Sequence, residues 1–239
     1  MSSVSEPMFP TSAMFRASIP SNQRASVGPH RTGDEVLHDG RLDRVRPLLH
    51  LVEHGGDDRQ VAERFIAARF DQSFDARIET FTPRLFTMRD RRGSICGAFG
   101  LRSTSCRLFV EQYLPVPVET ALALLGHSGV ERRSIVEVGH FSGTFPGAMR
   151  AMILLLAAHL HDEGFEWVVF SGTRDLRNSF MRIGLHPACL QPARIESLAA
   201  DRRAAWGHYY DHAPQVMAGR IRDGVRSPPW TPVLAGRRP

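Results

Sequence analysis

The stretch from Ser134 to Leu185 constrains the fold most. From Ser134 to Phe141 the side chains alternate with the two-residue period of a strand. A Gly-containing loop follows. The apolar run from about Gly147 to Asp162 then has the length of a helix. A second apolar run, Phe165 to Ser171, predicts another strand, and Asp175 to Ile183 predicts a second helix stopped by Gly184. The result is a β-loop-α-β-α unit with a βαβ crossover.

The flanking segments fit around that unit. Val45 to Val52 predicts a first strand. Asp57 and Asp58 precede an amphipathic helix with Val61, Phe65, Ile66 and Ala68 at helical spacing. Arg84–Arg89 and Ser94–Arg102 read as a hairpin about Asp90–Gly93, where Gly supplies the positive φ of the turn. Gly97 and Gly100 in the return strand predict a bulge or a close backbone approach. A strand is expected at Arg107–Leu114 and a short helix from Val118, closed by Gly126. After the central unit come a short strand at His186–Leu190, a helix at Ile195–Ala205 and a last strand at Gln215–Ile221. The class is α/β (α+β), antiparallel in its first half. Residues 1–36 and the Pro- and Arg-rich tail from Gly224 are expected to be disordered, leaving one domain over residues 37–223.

Composition narrows the function. Hydrophobic residues make up 42% of 239, enough for a packed core. All 30 basic residues are Arg and the net charge is +5, a field that favours anionic ligands. The arginines are scattered, without aromatic interleaving, which argues against nucleic-acid binding. Cys96, Cys106 and Cys189 lack metal or redox spacing, and the histidines lack ligand partners, so no metal site is expected. The N-terminal segment does not read as a secretory signal, and the apolar run Ala148–Leu160 is too short to span a bilayer; a cytoplasmic location is expected.

Several residues carry candidate chemistry. The loop Phe141, Ser142, Gly143, Phe145, Gly147, Ala148 opens a helix, whose first amides and partial positive charge suit an anion such as a diphosphate. Arg150 in the first turn adds a charged donor, and Pro146 fits the first helical position. The alternation puts Ile135, Glu137, Gly139 and Phe141 on one face of their strand, and Val136, Val138 and His140 on the other. Glu137 among apolar neighbours needs a partner or a function, and burial moves such a carboxyl toward a general base. Glu111 carries the same argument if its strand lies alongside. Asn178 on the second helix suits a pantetheine-like amide arm. Tyr113, Tyr209 and Tyr210 are candidates for a phenolic acid or an aromatic wall of an acyl pocket, and Trp206 is a candidate for that wall.

Two resemblances follow from these residues. The segments IVEVGHFSG, FPGAMRAMILLLAAHL, FEWVVFSGT and LRNSFMRIGL resemble the core of GNAT-type acyltransferases, with Phe145-Pro146-Gly147-Ala148 where their phosphate loop stands. FVEQYL, IVEVGHFSGT, FEWVVFSGTRDLRN and WGHYYDHAPQVMAG are similar to the bacterial thermostable hemolysins, with His140 and His208 where that pattern expects Asn and Ser. The strand VEVGHF also looks like one in acyl-homoserine-lactone synthases.

These resemblances imply a GNAT-like, mostly antiparallel sheet flanked by helices, and an N-acyltransferase. Its donor would be an acyl thioester, on coenzyme A or an acyl carrier protein, and its acceptor a small amine. Glu137, Glu111 and Tyr113 would be catalytic, with the 141–150 loop and Asn178 holding the cofactor. A membrane-active cytolysin and a non-catalytic binding protein are the alternatives.

Overall fold

The computed structural model describes residues 49–105 and 107–226. The chain divides into two units, Met1–Arg44 and a second beginning at Val45, and the described residues all belong to the second. The expected leader, the first residues of the expected opening strand and Cys106 lie outside the described residues.

In chain order the strands are β1 Leu49–His54, β2 Arg84–Asp90, β3 Ile95–Ser103, β4 Ile135–Gly143, β5 Trp167–Gly172, β6 Ala188–Pro192 and β7 Gln215–Arg220. The helices are α1 Arg59–Phe74, α2 Val118–Leu124, α3 Pro146–Asp162, α4 Arg174–Met181, α5 Ala200–Arg203 and α6 Ile221–Arg226. One seven-stranded sheet runs in the order β1-β2-β3-β4-β5-β7-β6. Among the described residues only β4 and β5, joined by α3, pair in parallel; the other pairs are antiparallel. The sheet is mixed and mostly antiparallel with helices about it, and the fold is GNAT-like.

The two faces of the sheet bury different sets. Phe86, Met88, Phe99, Leu101, Val136, Val138 and Phe170 pack with the apolar side of α3 and with Leu176 and Ile221. The opposite face packs Ile66 and Phe70 of α1 with Leu85, Ala98 and Tyr209, and Val110 and Leu122 with Ile135, Trp167 and Val169. Seven α3 residues are buried, among them Met152, Ile153 and Leu160, as a crossover helix requires.

Three expectations fail, each for a physical reason. Arg107–Leu114 is not a strand: Phe109–Gln112 forms a single 3-10 turn. Its amide donors find carboxylates instead of a strand ladder, Glu137 for Phe109 and Val110 and Glu111 for Leu108. The expected helix at Ile195–Ala205 is broken into 3-10 turns at Ile195–Ser197 and Ala204–Trp206 with α5 between them. Gly224, placed in a disordered tail, is helical and buried in α6 against α3.

β3 carries the expected bulge, since Met88 pairs with Gly97 and Arg89 with Ile95, which leaves Cys96 as the extra residue. A second bulge, opposite Phe99, has its extra residue in β4 and reverses the alternation of that strand. Ala98 pairs with Ser142 and Gly100 with Gly139, so Phe99 alone faces both His140 and Phe141. His140 absorbs the extra residue in the left-handed region at φ +55°. His140 therefore joins Phe70 and Phe81 on the Glu137 side, with ring centroids 6.2 and 5.4 Å away. Phe141 falls on the α3 side, stacked 6.3 Å from Phe99. This corrects the face assignment drawn from strict alternation.

Glycine at two paired positions makes the bulge possible. A Cβ on Gly100 would lie 1.6 Å from the Thr82 hydroxyl, and one on Gly139 would lie 3.2 Å from the Thr82 methyl. Thr82 thus lies over the Gly100–Gly139 pair, and its N–H donates to His140 Nε2 at 3.3 Å. Arg59 holds the same segment by donating to the carbonyls of Thr82 and Pro83 at 2.7 and 2.6 Å.

Because Asn tolerates the left-handed region and β-branched residues do not, His140→Asn is expected to retain most of the stability. His140→Val is expected to lose about 1–3 kcal/mol in urea denaturation.

Candidate active site

β4 and β5 pair only from Ile135–Trp167 to Val138–Phe170. Beyond Val138 the two strands part. Residues Gly139–Gly143 keep their β3 partner but have no β5 pairing, and they line a cavity of about 1280 Å³. The cavity reaches Glu137, Arg102, Phe70 and Trp206 on one side of the sheet, and the inner side of α3 with Phe170 and Leu176 on the other.

Glu137 sits at the start of that opening, 3% exposed. Its two oxygens accept the Phe109 and Val110 N–H groups at 2.8 Å each. Arg102, its register partner on β3, brings Nε to 3.6 Å. Burial pushes the carboxyl above its ordinary range, and the two amides and Arg102 oppose that shift. A carboxylate has about four lone-pair positions, so the two amide bonds leave each oxygen a further acceptor position.

His140 stands three residues on, brought to the same side by the bulge. Because Nε2 accepts the Thr82 N–H, the neutral ring carries its proton on Nδ1. Desolvation, with the Arg102 and Arg59 charges, pushes its pKa down to about 4. Strict alternation hid this residue from sequence reasoning. The signal that could have found it is Gly100 on β3 with Gly139 on β4, two glycines that leave room for an irregular pairing between these strands.

The cofactor candidates divide between two places. Phe141, Ser142, Gly143, Phe145 and Asn178 line the cavity, and Phe145 is exposed at its rim. Gly147, Ala148 and Arg150 are in the first turn of α3 rather than among the lining residues. Phe145 is the N-cap residue with extended backbone, Pro146 follows it, and no side chain caps the helix. The first-turn amides of Gly147 and Ala148 are therefore not taken by a capping side chain. Ser142 is committed to the sheet, its hydroxyl donating to the Ala98 carbonyl at 3.4 Å.

Glu111 and Tyr113 are elsewhere. The Glu111 carboxylate takes a two-pronged contact from Arg132 at 2.7 and 3.0 Å, with the Leu108 and Val118 N–H groups at 3.1 and 3.3 Å. Arg132 holds it below the ordinary carboxylate range. With Arg132 and Glu119 it borders a separate surface depression. Tyr113 is buried with its hydroxyl 2.6 Å from that of Tyr210, and burial raises its pKa far above the phenol range. Neither side chain lines the large cavity, whereas Tyr209 and Trp206 do. Among the described residues no group of His, Cys, Asp and Glu could hold a metal ion.

Two measurements check this electrostatic account. An unfolded His titrates near 6.5 and His140 in the fold near 4, so between these values the unfolded chain holds more protons. Stability contributed by the neutral ring is complete above about pH 6.5 and lost as pH falls toward 4. His140→Asn is expected to flatten that slope in unfolding experiments across the range. Glu111→Gln is expected to lower stability by about 1–3 kcal/mol by weakening the Arg132 clamp.

The thermostable hemolysin family model matches residues 52–225, more than half of the chain. Among solved structures, TofI in an apo form aligns over 76% of this chain and 97% of its own, at 17% identity and a TM-score of 0.51. FeeM, an N-acyl amino acid synthase from uncultured soil microbes, aligns over 74% of this chain and 93% of its own, at 11% identity and a TM-score of 0.49. The AHL synthase LasI aligns over 72% and 89%, at 11% identity and a TM-score of 0.46. TofI is similar to this chain in fold. A comparison with curated proteins gives no match. The chain belongs to the thermostable hemolysin family.

Proposed function

We propose that this chain transfers an acyl group from a thioester, carried on coenzyme A or an acyl carrier protein, to a small amine. The observation that carries this reading is the parting of β4 from β5 directly above the buried Glu137. A thioester arm entering between the strands meets main-chain groups that no neighbouring strand satisfies. An amine arriving from the Arg102 side meets a carboxylate.

In this reading the first-turn amides of α3, at Gly147 and Ala148, and Arg150 hold the pyrophosphate or phosphopantetheine. Phe141, Ser142, Gly143 and Phe145 flank the arm, and Asn178 bonds its amides. Glu137 removes a proton from the acceptor ammonium, directly or through water, and so frees the nitrogen lone pair. The amine attacks the thioester carbonyl and a backbone N–H between His140 and Ser142 stabilises the tetrahedral oxyanion; as the C–S bond breaks, the second nitrogen proton passes to the sulfur, so the amide and the free thiol leave. Glu111 and Tyr113 are left out of this mechanism because Arg132 and Tyr210 already occupy them.

A cytolysin that inserts α3 into lipid is disfavoured. Seven apolar residues of α3 are buried in the core, and no described helix is long and apolar enough to cross a membrane.

Glu137→Gln is expected to keep the fold and thioester binding while lowering turnover about 10²–10⁴-fold, the usual contribution of a general base. Thiol release across a panel of amines measures it; unchanged turnover removes Glu137 from the mechanism. For the native chain, the acidic limb of the rate profile should lie above the ordinary carboxylate range, because Glu137 acts when ionised and its pKa is raised.

A further inference from the structure

The buried inner face of α3 is not used in the chemistry above. Its wall is a stripe on α3, Met149, Ile153, Ala157 and Leu160, spaced so that all four share one helix face. Phe170 of β5 and Leu176 of α4 also line it. Ile153, Leu160, Phe170 and Leu176 are buried, so this is an interior arm rather than a surface groove. The stripe rises roughly 16 Å at about 1.5 Å per residue. The stripe and these two side chains are apolar, with Asp175 and Asn178 of α4 and Asp223 of α6 also lining the cavity, whereas Glu137, His140 and Arg102 are grouped on the opposite side of the sheet.

The far part of the arm lies where α6 crosses α3. A Cβ on Gly224 would lie 2.6 Å from the Ala157 Cβ, so the α6 backbone rests directly on α3 there. Ala157, Leu160, Ile221 and Gly224 all line the cavity at this crossing.

The whole cavity, about 1280 Å³, exceeds the roughly 300–1,000 Å³ common for drug-sized ligands. An apolar void forfeits dispersion contacts along its lining, and its cost grows with volume. Hydrocarbon fills such a space without leaving a polar group unsatisfied, whereas a charged or strongly hydrated occupant would leave its polar groups unpaired.

We propose that the α3 arm binds a long, linear acyl chain, with Ile153 and Ala157 as successive determinants of the length it admits. The assignment of that chain to the thioester donor rests on the acyl-transfer reading: the arm is continuous with the β4–β5 opening, so a chain lying in it brings its carbonyl end toward Glu137. The arm selects donors by length, and an acetyl group leaves most of it empty.

The test uses the full chain and free fatty acids, so that binding is read without catalysis. Displacement of a bound fluorescent fatty acid is measured with butanoate, octanoate and hexadecanoate. Hexadecanoate should compete at least about tenfold better than octanoate, since each buried methylene adds to affinity, and butanoate should compete least. Ile153→Trp, nearer the mouth, should move the preference to octanoate. Ala157→Phe, deeper in, should weaken hexadecanoate while leaving octanoate nearly unchanged. Ile153→Ala, which adds no bulk, should retain hexadecanoate binding even if the larger side chains disturb folding, which thermal melting reports.

Absence of fatty-acid binding by the native chain, or equal competition by butanoate and hexadecanoate, overturns the proposal. Transfer from acyl thioesters is assayed in parallel. Transfer from an acetyl thioester without fatty-acid binding overturns the acyl arm and leaves the transfer reading standing. Length-selective binding with no transfer from any thioester supports the arm and overturns the transfer reading.

Discussion

Two amide hydrogen bonds to the Glu137 carboxylate tie the site to the fold. They fasten the Phe109–Gln112 turn against β4, where an eighth strand would otherwise have been expected. A buried carboxylate needs partners, and backbone amides from a short turn supply them without bringing a second full charge into the core. Arg102 is near but not in close contact, which leaves the ionisation of Glu137 sensitive to what enters beside it. The same turn carries Glu111, whose clamp by Arg132 fixes the chain just before α2. Two acidic residues that look alike in sequence thus have different environments. One is buried beside a cavity and held mostly by neutral dipoles; the other is ion-paired at a surface depression.

The bulge in β4 is the second constraint. Without the extra residue, His140 would project toward α3 and Phe141 toward α1. With it, the side above Glu137 gains an imidazole and the α3 side gains a ring that stacks on Phe99. The left-handed backbone at His140 is uncommon for a residue other than glycine. The structure holds it through a set of unlike contacts: the Gly100–Gly139 pair makes room, Thr82 supplies an N–H, and Arg59 fixes the Thr82 carbonyl. These residues are far apart in sequence and meet only because α1 and the segment after it pack on that face.

Parting of β4 from β5 then divides the labour between the two faces. Glu137, His140 and Arg102 collect on the α1 side, and the α3 stripe with Phe170 and Leu176 gives the other side an apolar wall. The apolar helix that invites comparison with a lytic segment has seven of its apolar residues enclosed in the core.

Much of the architecture was legible from periodicity. The crossover unit from Ser134 to Leu185, the hairpin about Asp90–Gly93, the helix after Asp58 and the burial of Glu137 all follow from local pattern, because spacing of apolar residues reports which face is covered. The first-turn position of Gly147, Ala148 and Arg150 was legible for the same reason. What sequence alone left undecided were matters of pairing. Whether RLFVEQYL joined the sheet depended on where its amide donors went, and the carboxylates that took them lie as many as 28 positions away. The side to which His140 points was decided by a register shift against β3, and a one-residue shift reverses every later side chain. That Glu111 and Tyr113 sit apart from the cavity was set by Arg132 and Tyr210, partners that only the folded chain brings within reach.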